Sequence, residues 1–278
     1  MSGTLETILN ISALLFAFSS MLAIGLSYTV DQILGRLRSP RLVIMGLVGN
    51  FVLVPSFAWV VILLIPMNDA RATGLFLVAT AAGAPFLITL ARVAAADLAL
   101  TSGLLILSLV VTVVYMPLVV PLLVPGVDIS ALSIALPLLF TMFLPLVIGF
   151  VLAGRVAGLN ERLQTPLGGI STISLLVLVV ATILLYGGEI LGVLGSGAVL
   201  AVVIFTAGAF GIGYLLGTAG LGVGKEIGLA TAQRNIAAAT VVATGVIGDP
   251  DTIVLVVLAS MFGLAVLFPI ARLLRDRE

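Results

Sequence analysis

The spacing of charged residues constrains the fold of this chain more than any other feature. Eight long segments contain no charged residue, and they cover 7–30, 42–68, 72–91, 98–127, 129–154, 163–188, 190–224 and 252–271. Each approaches or exceeds the roughly 20 apolar residues that cross a bilayer as one helix. With 62% hydrophobic and 9% charged residues, the chain has too little polar surface to enclose a soluble core. The sequence therefore predicts an all-α polytopic membrane protein.

Charged and Gly/Pro-rich segments divide the chain into nine predicted transmembrane helices, at 7–28, 40–63, 72–92, 97–121, 130–154, 165–187, 195–217, 223–248 and 251–272. The loops are too short for a soluble domain, so residues 1–278 are expected to form one transmembrane domain with approximate halves 1–125 and 126–278. Ten of the twelve basic residues then fall on one face. The positive-inside rule predicts a multi-pass protein of the cell (inner) membrane, with its N-terminus outside and its C-terminus cytoplasmic.

Composition excludes several classes of enzyme. The chain has neither cysteine nor histidine, so thiol chemistry and the commonest metal ligand and general base are absent. Lys225 is the sole lysine and lies at a predicted interface, and no two carboxylates fall in mid-span. We therefore expect no enzyme activity and no cofactor. The zero net charge gives no indication of nucleic-acid binding.

Three consecutive polar residues, Gln233, Arg234 and Asn235, interrupt the eighth predicted span. The helical rise puts Arg234 about 12 Å from Glu226 and about 22 Å from Asp249, deep within the span. A central arginine costs at least ~2.5–3.5 kcal/mol on insertion scales. Snorkelling or a structural ion pair is one interpretation. We favour the other, a water-accessible functional site.

A second interruption lies in the third predicted span, which contains Gly83, Ala84 and Pro85. Proline removes a backbone donor and clashes with the preceding turn, so this helix is expected to kink or break. Both interruptions lie seven to nine residues from a charged cytoplasmic end. Disturbed segments at corresponding depths indicate the binding site of a secondary transporter. Half-helix N-termini and Arg234 at that depth favour an anion as the ligand.

Three segments, in this order, resemble a known family of transporters. They are MLAIGLSYTVDQILGRLRSPRLVIMGLVGNFVLVPSFAW (21–59), ATAAGAPFLITLAR (79–92) and TAQRNIAAATVVATG (231–245). Together they are similar to the bile acid:sodium symporter family of secondary transporters. The resemblance implies an inverted-repeat fold with a core domain, which contains two crossing broken helices, and a panel domain. It also implies a nine-helix version that lacks the family's first helix.

The same resemblance implies that the family's sodium ligands are missing. Ala84-Pro85 stands at a Ser-Asn position of the first break, and Ala230 stands at a Glu position, although Glu226 lies one turn below and Ser108 keeps one hydroxyl. Asn50 and Arg234 stand where the family has two Gln ligands. Sodium is therefore a doubtful partner. The candidate substrate- or ion-binding residues are Asn50, Gly83, Pro85, Ser108, Glu226, Thr231, Gln233, Arg234 and Asn235.

These observations predict a secondary transporter that moves a small organic anion by alternating access, with Arg234 supplying the charge of a sodium ion. Substrate gradients, exchange or protons carried by Glu226 are the expected driving forces. Two alternatives stay open: a sodium-coupled organic anion or bile acid symporter, and an anion channel or sensor that uses the same site. The expected partners are the lipid bilayer and a small organic anion, such as a 2-oxo acid or a pantoate-like molecule, with a homodimer left open.

Overall fold

The chain folds into helices throughout the residues that its computed structural model describes, which are 2–28, 39–123, 129–156, 158–219 and 221–275. The first half contains α1 (Ser2–Ser27), α2 (Pro40–Leu64), α3 (Asp69–Thr80), α4 (Leu87–Val93), α5 (Leu98–Leu123) and α6 (Ala131–Arg155). The second half contains α7 (Leu159–Leu185), α8 (Gly187–Leu194), α9 (Ala198–Thr218), α10 (Gly224–Ala232), α11 (Ile236–Val242, continued by the π-helical turn Ala243–Ile247) and α12 (Pro250–Arg275). Three of the basic residues counted in the orientation argument, Arg36, Arg38 and Arg277, lie outside the described residues.

Seven helices among the described residues, α1, α2, α5, α6, α7, α9 and α12, are long and apolar enough to cross a membrane. Large apolar side chains point outward from them, and Leu63, Leu122 and Leu215 are 75%, 81% and 70% exposed. Such surfaces are stable only against lipid. A polytopic helical membrane protein is thereby confirmed.

The predicted spans 72–92 and 223–248 are each divided into two shorter helices. The first becomes α3 and α4, separated by residues 81–86, and the second becomes α10 and α11, separated by residues 233–235. The breaks lie where the sequence predicted them. We call these two non-helical segments together the crossover.

Close main-chain contacts sort the other helices into two groups. In the first group, α1 packs on α6 and α7: a Cβ on Gly25 would overlap Leu146 O of α6, and Ser20 Oγ is 2.6 Å from Ser171 Oγ of α7. In the second group, α9 packs on α10 and α12, and a Cβ on Gly213 would lie 2.6 Å from Ile227 O. Glycine allows these backbones to touch.

A small apolar cluster joins the first group to α11. Phe16 and Ala17 of α1 and Leu175 of α7 pack against Ala237 and Val241 of α11. The first group therefore contacts the helix that begins at the second break.

Candidate functional site

The two breaks contact each other through Asn235, which is fully buried. Its backbone N–H donates to Ala81 O at 2.8 Å, and its Nδ2 donates to Gly83 O at 2.9 Å. Its Oδ1 accepts from Ala238 N at 3.1 Å and so caps the first turn of α11. One asparagine thus satisfies polar backbone groups that both breaks expose, which is the condition for non-helical backbone at this depth.

Helix α5 holds the first break in its conformation. Gly83 has φ of +80°, and a Cβ there would lie 2.6 Å from Leu109 N, so glycine is required both by the dihedral and by the close approach. The Thr112 hydroxyl accepts from Ala82 N and donates to Ala82 O, each at 3.0 Å. Both polar groups of Ala82 are therefore paired without a helix.

Arg234 lies at the centre of the crossover and is 4% exposed. Its Nε donates to Val78 O at 3.2 Å. Its Nη1 donates to Asn50 Oδ1 at 2.8 Å and to Thr231 O at 3.1 Å. Its Nη2 donates to Ala79 O and, at 3.5 Å, to Asn50 O. Each of the five guanidinium N–H groups thus has a protein oxygen, and we call these five oxygens the carbonyl cage.

Three oxygens of the cage are available because two helices end there. Val78 and Ala79 lie in the last turn of α3, and Thr231 lies in the last turn of α10. The last four carbonyls of a helix have no intrahelical donor. They also form the negative end of the helix dipole, where a cation is stabilised. Arg234 therefore binds the C-terminal ends of two half-helices.

Asn50 supplies the other two oxygens because α2 changes its hydrogen-bond register there. Residues Gly49–Leu53 form a π-helical turn in which Val54 N donates to Gly49 O. In an α-helix Val54 would donate to Asn50 O instead. The π-helical register therefore leaves Asn50 O free for Arg234. Asn50 Nδ2 donates to Gly46 O at 3.0 Å, which orients Oδ1 toward the guanidinium.

A proline releases the next carbonyl of α2. Pro55 follows Phe51 by four residues and has no N–H to donate to it. Tyr115 of α5 donates its hydroxyl to Phe51 O at 2.6 Å, and the two rings pack edge to face with centroids 4.9 Å apart. Tyr115 thus supports the π-helical turn that presents Asn50.

The other predicted site residues lie around this centre or apart from it. Thr231 contributes its carbonyl to the cage, while its hydroxyl lies 2.9 Å from Ala209 O of α9. Gln233 lines a cavity of about 20 Å³ beside Arg234, large enough for one water. Ser108 is buried on α5, one turn before Thr112. Glu226 lies on the first turn of α10, where its Oε1 accepts from Asp97 N at 2.8 Å, away from the cage.

The remaining predicted residue, Pro85, lines a larger cavity of about 350 Å³. This cavity lies between α1 and α7 of the first group and α4, the helix that follows the first break. An adjoining cavity of about 320 Å³ shares Arg92 with it. Arg92 is the only formally charged residue among the described residues that line either cavity. The lining also presents polar groups, among them Thr89, Gln164 and Ser171.

Sequence reasoning missed four contributors to the site: Val78, Ala79, Thr112 and Tyr115. Val78 and Ala79 act through main-chain oxygens, which any residue has, so the sequence contains no signal for them. Thr112 follows Ser108 by one helical turn, and Pro55 follows Asn50 by five residues. The first spacing was an available signal for the support of the first break, whereas the second indicates free carbonyls in α2 only once the π-helical turn is known.

A membrane protein in which two interrupted helices meet, with helix ends around a cation, has the architecture of a secondary transporter. The model of the Sodium Bile acid symporter family matches residues 14–193, and the chain belongs to this family. The match extends from α1 into α8, so Arg234 and the second break lie beyond it. The chain thus belongs to a family of transporters that are embedded in the lipid bilayer.

One curated relative is the probable sodium/metabolite cotransporter BASS3, chloroplastic, from Arabidopsis thaliana. It is 25% identical to this chain over 195 residues, which are 70% of this chain and 45% of the relative. The chain thus matches less than half of the relative's length.

Proposed function

We propose that the protein moves a small organic anion by alternating access and that Arg234 substitutes for a co-transported sodium ion. The carbonyl cage is the observation that supports this proposal. In broken-helix transporters, unwound carbonyls and half-helix C-terminal ends coordinate the coupling cation. Here the same kinds of oxygen accept hydrogen bonds from the guanidinium of Arg234, four of them at 2.8–3.5 Å. A cation that is part of the chain needs no replacement from solution.

The rest of the crossover offers little to a second sodium ion. Ala84, Pro85 and Ala230, which stand at the family's ligand positions, have no side-chain oxygen. The Thr112 hydroxyl is already bonded to Ala82. The missing side-chain oxygens at these positions support transport without sodium.

The proposed architecture has nine spans, in which α3–α4 and α10–α11 each count as one. Helices α2–α5 and α9–α12 form the core, and α1, α6 and α7 form the panel. The cluster of Phe16, Ala17 and Leu175 with α11 closes one end of the core–panel boundary, while the cavity at Pro85 and Arg92 opens the other. By the charge distribution, the open end faces the cytoplasm. Sliding of the core along the panel would close the open end of the boundary and open the closed one.

The anion is proposed to enter through the cavity of about 350 Å³, where Arg92 attracts it and side-chain hydroxyl and amide groups can donate hydrogen bonds to it. We propose that Arg234 acts on the anion through its charge alone, because all its N–H groups have protein acceptors and no bidentate contact is available in this conformation.

A sodium-coupled symporter is the second candidate, because the relative is named a probable sodium/metabolite cotransporter. Purified protein in liposomes distinguishes the two. Counterflow of radiolabelled pyruvate or pantoate should be saturable and equal in sodium, potassium and choline solutions. Saturable counterflow also separates a carrier from a channel or sensor. Flux that requires sodium would reject the fixed-cation proposal in favour of the symporter.

A further inference from the structure

The positions of charged residues limit which ions this carrier can move with its substrate. Apart from Arg234, each charged residue within the described helices lies in the first or last two turns of its helix. Glu226 is the one carboxylate of α10, and its side chain accepts a hydrogen bond from the backbone N–H of Asp97, just before α5. The chain has no histidine or cysteine. The described mid-membrane region therefore contains no carboxylate, imidazole or thiol that could relay a proton.

Arg234 itself makes no net contribution to charge movement. Its cage consists of oxygens from α2, α3 and α10, and the arginine follows the last residue of α10. Cation and cage thus belong to one unit of the chain. Whatever path that unit takes while loaded, it retraces while empty, so the arginine's charge returns to its starting point in every cycle. The charge moved per cycle is then the charge of the substrate.

We infer that this carrier is electrogenic: it moves its organic anion without a cation, so each cycle transfers the negative charge of the substrate and a negative interior drives the anion out. The inference rests on the proposed function and adds its stoichiometry and its direction. A potential of 100 mV acts on one charge with about 2.3 kcal/mol. This corresponds to an anion concentration about 50-fold higher on the positive side at equilibrium. In a compartment with a negative interior, the anion leaves.

The direction does not depend on how the chain is inserted, because the driving force depends only on the charge moved. A sodium-coupled carrier behaves differently, since each co-transported sodium ion cancels one negative charge. With one sodium ion per monovalent anion the potential would have no effect, and with two a negative interior would favour accumulation, so the response to membrane potential reports whether the cation stays in the protein.

The test uses wild-type protein in liposomes, with potassium gradients and valinomycin setting an interior either positive or negative. Radiolabelled pyruvate and pantoate are the probes, in choline or sodium solution and with equal pH on both sides. A positive interior should accumulate the probe about 50-fold per 100 mV, and a negative interior should exclude it. Arg234→Gln in sodium solution should lose this response, because one bound sodium ion would travel with each anion.

The outcomes separate the inference from its premise. Saturable, sodium-independent flux that ignores the potential, or that a negative interior favours, overturns the inference and leaves the fixed-cation carrier standing. A sodium requirement in the wild type overturns the fixed cation itself. Absence of flux for both probes rejects the carriage of small monocarboxylates, and the inference falls with it. Loss of Arg234→Gln during purification does not affect the wild-type arms, which decide the sign.

Discussion

Replacing Arg234 with glutamine should convert a sodium-insensitive protein into one that sodium stabilises. The guanidinium donates to five oxygens, whereas a glutamine amide has two N–H groups. At least three cage oxygens then lose their donor, and each buried acceptor left unpaired costs about 1–3 kcal/mol. The lower end applies, because Val78 O also accepts from Ala81 N. A loss of about 3 kcal/mol lowers the melting temperature of a domain of this size by about 6–12 °C.

Sodium should restore most of that loss. The emptied cage retains helix-end carbonyls and the Asn50 amide oxygen, and a glutamine oxygen joins them. A ligand present at about one hundred times its Kd stabilises the folded state by about 2.7 kcal/mol. Potassium is larger and should bind less well in a cage fitted to short contacts. Melting curves of detergent-purified protein in sodium, potassium and choline chloride measure the difference.

Two variants serve as controls for this experiment. Arg234→Lys keeps a cation in the cage and should melt below the wild type but at the same temperature in every salt. Arg155→Gln changes an exposed arginine at the end of α6 and should behave as the wild type does. Equal melting of Arg234→Gln in sodium and potassium would refute the view that the guanidinium fills a cation site. So would stabilisation of the wild type by sodium.

Three further substitutions test the supports of the site. Gly83→Ala should abolish transport and folding yield, because it combines a left-handed φ with a contact of 2.6 Å between the new Cβ and Leu109 N. The control Gly154→Ala, in open space on α6, should change neither. A normal yield of Gly83→Ala would contradict the close approach of α5 to the first break. Tyr115→Phe should lower stability by about 1–3 kcal/mol in chemical unfolding, because Pro55 has no N–H for the released Phe51 carbonyl; an unchanged midpoint would mean that another donor takes over. Arg92→Gln should raise the KM for the anion severalfold with an unchanged melting temperature, and an unchanged KM would remove Arg92 from the proposed entry route.

Long-range patterns were predictable from the sequence, and the contacts of Arg234 were not. Segments without charge define spans because lipid excludes unpaired charges. Pro85 and Arg234 indicate breaks because neither fits a continuous membrane helix. The acceptors of Arg234 could not be deduced, since Val78 and Ala79 contribute atoms common to all residues. We expected Arg234 to lie beside half-helix N-termini in a water-accessible site. The structure instead binds it to half-helix C-termini with space for about one water nearby.

The position of Asn50 was also beyond sequence reasoning alone. The resemblance identified it as a ligand position, but its backbone carbonyl becomes available through a register shift that no side chain reveals. The spacing between Asn50 and Pro55 has meaning only when the π-helical turn is known. The sequence does not indicate the role of Tyr115 either, because an aromatic residue in an apolar helix is usually a packing residue.

Because most of the cage belongs to the main chain, it persists whatever side chain it surrounds. Under the proposed function, the side chain at position 234 would then decide whether the cation is supplied by the cell or by the chain, and an Arg codon CGA or CGG differs from a Gln codon by one base. If the proposal holds, a change of this one side chain would change the energy source of transport while the fold and the route of the substrate stay the same.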